Sequence, residues 1–362
     1  MDNKNIERKR RMNKKVTMED IAKELRLSRN TVIKALNNHD DVSEVTKKSV
    51  IEKAVALGYK KINKEYIDMF NGAIPARHSN IGVIMRGSNN QSNSYWMSVI
   101  MGVQESIVQK GYEMISSFQP EQDEETLKLP QCMINGSVIG LIIDGAMKKE
   151  YIEKLLSKDI PAVLIDCPNN IEMNDVNADI ILMESEESVF KLTQSIIGKV
   201  SNDIGFFGDI QNCRSFMERW NGFKKAMEFE GLSVNSELSI INETSTHYQN
   251  MDGQDIEEKL EKLKKIPKAI ICANDRIAIS TIQVLRKKGL RVPEDILITG
   301  FDNIPESTII EPPLTTVDNP NNEIGVRAGE EILWRIKNPN RSFEIIRIKT
   351  HLIFRKSTGD LQ

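Results

Sequence analysis

Cysteine and histidine are both scarce in this chain of 362 residues, with four of each. Cys132, Cys167, Cys213 and Cys272 form no Cys-x-x-Cys pair, and no histidine stands near them at ligand spacing. That argues against a disulfide framework or a zinc site and fits a reducing cytoplasm. Cys132, Cys167 and Cys272 sit in or beside apolar runs and read as inert core thiols. His39, His78, His247 and His351 are isolated from one another. No run of about 18 apolar residues exists, which removes a membrane-spanning helix, and the mean hydropathy is −0.37. The first residues, MDNKNIERKRRMNKK, are charged with no apolar stretch behind them, unlike a secretory signal. Catalytic signatures are missing too: no Gly-x-Ser-x-Gly, no Gly-x-Gly-x-x-Gly after a strand, no phosphate-binding Gly-x-x-x-x-Gly-Lys and no metal spacing. Neither a cofactor nor an enzyme is expected.

What is present is a charge asymmetry. The net charge of −3 is unremarkable, but residues 1–64 hold 17 Lys/Arg against 9 Asp/Glu, whereas the remainder holds 32 against 43. A basic head on an acidic body suits a nucleic-acid-binding head carried by a regulatory or catalytic body; the plain alternative is a solvated Lys-rich end. Residues 1–14 lack periodicity and read as a disordered basic tail. The Arg8–Arg11 run within it either touches phosphates or is merely solvated, and Met12 is an alternative start.

Residues 15–60 carry three short helical patterns. Thr17 caps the first, with Asp20 in capping-box position, and Ile21, Ala22 and Leu25 share a face. Ser28 opens the second, whose buried stripe is Val32, Ala35 and Leu36. Ser43 opens the third, with Val50, Ile51, Ala54 and Leu57 inward and Gly58 ending it. Two short helices joined by a tight turn, with a third as buttress, form the helix-turn-helix that lays a helix in the major groove. The second helix presents Arg29, Asn30 and Lys34, side-chain types that pair with base edges. Thr17, Ser28 and Thr31 suit phosphate oxygens, and Asn37, Ser43 and Tyr59 complete the expected phosphate contacts. A three-helix protein-binding domain is the alternative.

From Ile81 short apolar runs alternate with helical segments. Strands are expected at 81–85, 112–117, 140–144, 162–166, 203–208, 238–242, 269–274 and 295–302. Helices are expected at 97–111, through 223–230 and through 278–288. Such alternation means doubly wound parallel sheets. Two sheets of about 130 residues each give a two-lobed α/β body over 81–358, with ligand bound beyond the C-terminal strand ends. The residues that follow the strands are then Tyr95, Trp96, Asp144, Asp166, Arg219, Asn274, Asp275 and Asp302. Aromatic faces with carboxylates, an amide and a guanidinium describe a site for a hydroxyl-rich small molecule. For each there is a structural alternative: core aromatics for Tyr95 and Trp96, turn carboxylates for Asp144 and Asp302, helix caps for Asn274 and Asp275.

The run Val16, Thr17, Asp20, Ile21, Ala22, LSRNTV (27–32), ALN (35–37), Val42, Ser43, Thr46, Val50, Ala54 and LGY (57–59) resembles the head of the lactose-repressor-type regulators, the LacI/GalR family. The resemblance continues through IGVIM (81–85), NSYW (93–96), IPAVLID (160–166), Arg219 with Gly222, Phe223 and Ala226, AND (273–275), GFD (300–302), PPLTTV (312–317) and LIFRKST (352–358). It implies a periplasmic-binding-protein-like body, base reading by Arg29, Asn30 and Lys34, and effector contact by Asp166, Arg219, Asn274 and Asp302. It further implies a homodimer on a near-palindromic operator, controlled by a small effector, with a carbohydrate expected; some relatives use a phosphorylated partner protein instead. The rival readings are a sugar receptor or an enzyme on the same body fold.

Three departures from the family stand out. Arg26 occupies a position usually held by Gly, so it must accept a left-handed or adjusted turn. In the linker at 61–80 no Pro follows Tyr59, and Asp68 falls where the family has a minor-groove Leu wedge; Met69 or Phe70 takes that role if the register slips. ILMESEES (181–188) replaces the usual segment before the second lobe's first helix.

Overall fold

The computed structural model describes residues 16–37, 39, 41–59, 80–87, 94–200, 202–211, 213–241 and 253–359. Arg8–Arg11, Asp68, Met69, Phe70, His78, Asn93, Asn242 and His247 lie outside these. The chain divides into two compact units on either side of Arg77, and each has its own core.

The first unit holds α1 (Met18–Leu25), α2 (Arg29–Leu36) and α3 (Glu44–Leu57). Each begins at a hydroxyl cap. Thr17 Oγ1 accepts from the Asp20 amide while Asp20 returns the bond to the Thr17 amide at 2.9 Å. Ser28 accepts from the Thr31 amide at 3.0 Å and Ser43 from the Thr46 amide at 3.2 Å. These satisfy amides that a helix start otherwise leaves without partners. Arg26 does adopt the left-handed conformation, with φ 53°, and the Leu27 amide closes back on the Ala22 carbonyl at 2.9 Å. The expected apolar stripes meet: Ile21, Ala22, Val32, Ala35, Leu36, Val50 and Ala54 form one buried cluster, joined by Val42.

The second unit contains, in order, β1 (Asn80–Arg86), α4 (Ser94–Val108), β2 (Glu113–Gln119), α5 (Glu121–Glu125), α6 (Gln131–Ile134), β3 (Val138–Asp144), α7 (Lys149–Leu156), β4 (Ala162–Ile165) and β5 (Asp179–Met183). Then come α8 (Glu186–Val200), β6 (Ile204–Phe207), α9 (Arg214–Phe229), α10 (Gly253–Lys262), β7 (Ala269–Cys272), α11 (Asp275–Lys287), β8 (Leu297–Thr299), α12 (Glu306–Ile309), β9 (Thr316–Asp318), α13 (Asn321–Lys337), β10 (Ile345–Ile348) and β11 (His351–Ile353). Asn80, assigned to the linker on sequence, opens β1.

The first lobe is a six-stranded sheet in the order β10-β5-β4-β3-β1-β2, every pairing parallel. Successive residues of its strands point to opposite faces. Leu141, Ile143, Leu164, Ile180 and Leu182 pack with Tyr151, Ile152 and Leu155 of α7. Val83, Ile142, Val163 and Ile181 pack with Val99 and Val103 of α4 and Ile332 of α13. Burial on both faces explains the unbroken apolar runs in the sequence. α4 and α13 approach closely through Gly102 and Gly325, where an added Cβ would fall 2.0 Å from the carbonyl oxygens of Asn322 and Val99 respectively.

The second lobe corrects one expectation. Among the described residues its sheet has three parallel strands, β6-β7-β8, and 238–241 does not form a full strand. Ser236–Leu238 is a 3₁₀ turn and Ile240 makes a single bridge to Phe207. Its apolar side chains still turn inward, with Leu238 and Ile240 both buried, and its backbone runs beside β6, the Ile240 amide donating to the Phe206 carbonyl at 2.8 Å and the Gly208 amide to the Ile240 carbonyl at 2.9 Å. β9 and β11 form a separate antiparallel pair. The chain passes between the lobes three times, after β5, after β9 and after β10. The first and third crossings are tied together, since the Thr350 hydroxyl donates to the Glu184 carbonyl at 2.7 Å and lies 2.7 Å from the Ser188 hydroxyl. α8 starts there, with Glu184 Oε1 accepting from the Glu187 amide at 2.9 Å. This is how ILMESEES begins the second lobe.

Candidate functional site

Two surfaces collect the residues singled out by sequence. On the head, Arg29, Asn30, Lys34 and Asn37 are exposed along α2, while Val32, Ala35 and Leu36 are buried behind them. The 3.6-residue period separates the two sets. Lys34 pairs with Asp41, and that ammonium holds the Asp41 carboxyl below its ordinary pKa. Thr17, Ser28 and Ser43 are exposed caps whose oxygens already serve helix amides. Thr31 is half-buried with its hydroxyl 2.8 Å from that of Ser28. Tyr59 packs partly against the head core.

In the body, a cavity of about 60 Å³ lies between the lobes. Tyr95, Trp96, Asp166, Arg219, Asn274 and Asp302 all line it, as does Asp144. From the first lobe, Tyr95 and Trp96 occupy the first turn of α4, their rings edge to face at 5.2 Å. Asp144 ends β3 and accepts from the Ala146 amide at 3.0 Å. Asp166 follows β4 in the left-handed region, φ 66°. Its Oδ1 accepts from the Cys167 amide at 2.7 Å and the Ser215 amide at 3.3 Å, and its Oδ2 from the Ser215 hydroxyl at 2.6 Å. Asp166 thus sits at the N-terminus of α9 from the opposite lobe, where the helix offers free amides and a positive dipole end.

From the second lobe, Arg219 projects from α9. Its Nη1 donates to the Ala273 carbonyl at 2.6 Å, Nη2 lies 3.5 Å from Asp302, and its guanidinium carbon stands 3.7 Å from the Phe301 ring centre. Asn274 lines the cavity and also caps α11, its Oδ1 accepting from the Ile277 amide at 2.9 Å. Cap and ligand-facing wall are therefore compatible in one residue. Asp302 follows β8 with φ 110°. Burial pushes both Asp144 and Asp302 up to about 6, against the pull of nearby Arg86 and Arg219 respectively.

Asp275 is the correction. It is fully buried beneath the cavity, with Oδ1 accepting from the Thr316 hydroxyl and Oδ2 from the Ile304 amide at 2.9 Å. Its neighbour Asn274 caps α11 in extended conformation, and the step into the helix turns the next side chain away from the cleft. Desolvation raises its pKa well above the ordinary carboxylate value.

Sequence reasoning missed Ser215, Phe216 and Arg276, which also line the cavity. Ser215 lies one helical turn before Arg219, a spacing that places both on one face. Phe216 and Arg276 carry no comparable signal. Cys213, the one thiol left unassigned by sequence, is buried at the cavity wall, and burial raises its pKa. Further bonds join the lobes around the site. Arg214 Nη2 donates to the Ile171 carbonyl at 2.8 Å, Asn169 Nδ2 to the Ile210 carbonyl at 2.8 Å, and the Ser94 hydroxyl to Glu306 at 2.9 Å. Among the described residues no group of three or more His, Cys, Asp or Glu is arranged to hold a metal ion, and no helix is long and apolar enough to cross a membrane.

Comparisons with known proteins agree with this architecture. A periplasmic binding protein-like domain model matches residues 195–358. The HTH-type transcriptional repressor PurR of Actinobacillus pleuropneumoniae serotype 3 (strain JL03) is 29% identical over 348 residues, covering 95% of this chain and 99% of that protein. Among solved structures, the transcriptional regulator CelR–cellobiose complex aligns with a TM-score of 0.67 at 21% identity, covering 94% of this chain and 99% of that one. The lac repressor dimer bound to operator and an anti-inducer aligns with a TM-score of 0.63 at 19% identity, covering 95% and 99%. Over nearly its full length the chain is thus similar in sequence to HTH-type transcriptional repressors, and it shares the fold of the solved regulators.

Proposed function

We propose that this chain is a sequence-specific DNA-binding transcriptional repressor whose operator affinity is set by a small carbohydrate-like effector held between the lobes. The observation that carries the reading is the outward display of Arg29 and Asn30 at the start of α2 over a closed apolar core. In this reading Arg29, Asn30 and Lys34 read bases, Lys34 exchanging its Asp41 partner for the DNA. Thr17, Ser28, Thr31, Asn37, Ser43 and Tyr59 hold phosphates, the Thr17 hydroxyl by turning from its Asp20 partner, with the adjacent helix amides contributing. Residues 15–60 are the DNA-binding part, 61–80 the hinge and 81–358 the effector and dimerisation part. Tyr95, Trp96, Asp166, Arg219, Asn274 and Asp302 contact the effector, and Asp275 is withdrawn from that set.

One head buries only about 600–1,000 Å² on DNA, too little for tight specific binding at physiological salt. A homodimer reading two half-sites supplies the rest, and the operator-bound dimer among the similar structures supports this. The cleft couples ligand to DNA through Asp166. That carboxylate belongs to the first lobe but accepts three bonds, two of them from Ser215 of the second. A ligand donor that takes an Asp166 lone pair competes with α9 for it and so biases how the lobes close. Such coupling is typically about 1–3 kcal/mol. The cleft binds rather than turns over its ligand, so incubation with sugars leaves them chemically unchanged.

The test is selection of bound duplexes from a randomised library by the full chain, repeated with Arg29→Ala. A near-palindromic consensus is expected, and the variant should lose about 1–3 kcal/mol and relax preference at one base pair per half-site. Equal loss on every sequence would reassign Arg29 to phosphate, and no retention of any duplex at low salt would end the reading.

A further inference from the structure

The cavity wall is unevenly charged. Three carboxylates line it, Asp144, Asp166 and Asp302, against two guanidiniums, Arg219 and Arg276. Arg219 is committed to the Ala273 carbonyl, to Asp302 and to the face of Phe301. Arg276 stands at the partly exposed edge and makes interactions of its own. Behind Asp144, Arg86 is held bidentately by Glu124 at 2.9 and 3.1 Å, so its charge is largely answered there. Ionised carboxylates accept and do not donate. The wall therefore asks its occupant for donors, and a negative charge brought within a few ångströms of three carboxylates is repelled in a poorly solvated space. Burial raises the pKa of both Asp144 and Asp302 to about 6, the mark of carboxylates held in a poorly solvated space.

Shape adds a second limit. At about 60 Å³, and with roughly 10–15 Å³ needed per water, this partly open cavity has room for a handful of waters, the scale of one small ring. Tyr95, Trp96 and Phe216 give that ring an apolar wall for its C–H face.

Resting on the reading of the cleft as the effector site, we infer that the effector is a single-ring polyol, uncharged or carrying an amine, and that sugar phosphates and uronic acids are rejected by Asp144, Asp166 and Asp302. Asp144 is the specificity determinant with the least structural duty, because its two bonds come from backbone amides that an Asn carbonyl also satisfies in part.

The experiment is titration calorimetry of the full chain at pH 7.5 against pentoses and hexoses, their 2-amino forms, their terminal phosphates and the matching uronates. At least one neutral or amino sugar should bind, with its phosphate and uronate on the order of 100-fold weaker. The amino arm separates a donor-only site from one that also rewards positive charge. Asp144→Asn should narrow the gap between parent and phosphate on the order of tenfold, a change that a merely structural role would not produce. An anionic sugar that binds as well as its parent, or a series in which no neutral or amino sugar binds, overturns the inference and leaves the effector cleft standing. A sugar bound equally well by Trp96→Ala lies elsewhere and overturns the cleft reading itself.

Discussion

Asp166 and Asp302 each follow the end of a strand with positive φ, 66° and 110°, conformations that cost of order 1–3 kcal/mol and gather at functional sites. Aspartate tolerates the left-handed region better than most residues, and the payoff is direction: both carboxylates turn back across the strand ends into the cleft. Asp144 faces the same space without backbone strain but carries a buried charge. Its folded pKa, about 6, lies above the unfolded value near 3.8, so the native state holds the proton more tightly. The stability linked to this group is therefore fully present below about pH 4 and lost as pH rises through about 6. Asp144→Asn removes that penalty. It should be more stable than the parent above pH 7, by up to about 3 kcal/mol at 1.36 kcal/mol per pKa unit, with the advantage vanishing near pH 4. Urea unfolding of both proteins at several pH values checks the sign, and a variant that is less stable at pH 8 would show that the acceptor role of Asp144 outweighs its charge.

Among elements, α2 carries two duties at its start. Ser28 both caps the helix and is proposed to touch phosphate, and Ser28→Asp separates them. Aspartate caps as well as serine, so the melting temperature should hold, whereas the added negative charge beside the backbone should weaken DNA binding about uniformly over sequences. Retained affinity in a filter-binding assay would leave Ser28 as a cap alone. The α4–α13 pair depends on backbone contact at Gly102 and Gly325. Gly325→Val forces a Cβ to within 2.0 Å of the Val99 carbonyl oxygen. The helices must separate, at a cost of about 3 kcal/mol, read as a lower urea midpoint. An unchanged midpoint would mean the two helices are free to slide.

For the whole molecule, the prediction is reciprocity. If effector and operator bias one equilibrium of lobe closure, saturating effector changes operator affinity by roughly 5–150-fold, and operator DNA changes effector affinity by the same factor. Measuring both with the full chain tests the scheme without knowing its sign. A ligand that binds the cleft yet leaves operator affinity alone would uncouple the two units. The lobes are joined by three crossings, of which the first and third are bonded to each other through Thr350, Glu184 and Ser188, an arrangement suited to a hinge.

Locally encoded features were legible without coordinates. Caps at Thr17, Ser28 and Ser43, the stripes of α1 to α3 and the buried strands of the first lobe follow from chemistry within a few residues, whereas the left-handed turn at Arg26 was legible only through the family resemblance. Asp166, Asn274 and Asp302 were legible because strand ends point at the cleft by topology, and Arg219, which projects from α9, because of its place near a helix start and the motif resemblance. Partnerships across long separations were not. Asp275 stands next to Asn274 in sequence, but the fold turns its side chain toward Thr316 and Ile304. Ser215 becomes a wall residue because a carboxylate 49 positions earlier meets the start of α9. α13 returns to the first lobe against α4 through two glycines with no local mark of their meeting, and the apolar run at 238–241 meets β6 at a single bridge rather than as a full strand. Short-range periodicity and capping act between neighbours in the chain. The balance of charge and donors in the cleft arises where residues far apart in sequence are packed together, and only packing assigns it.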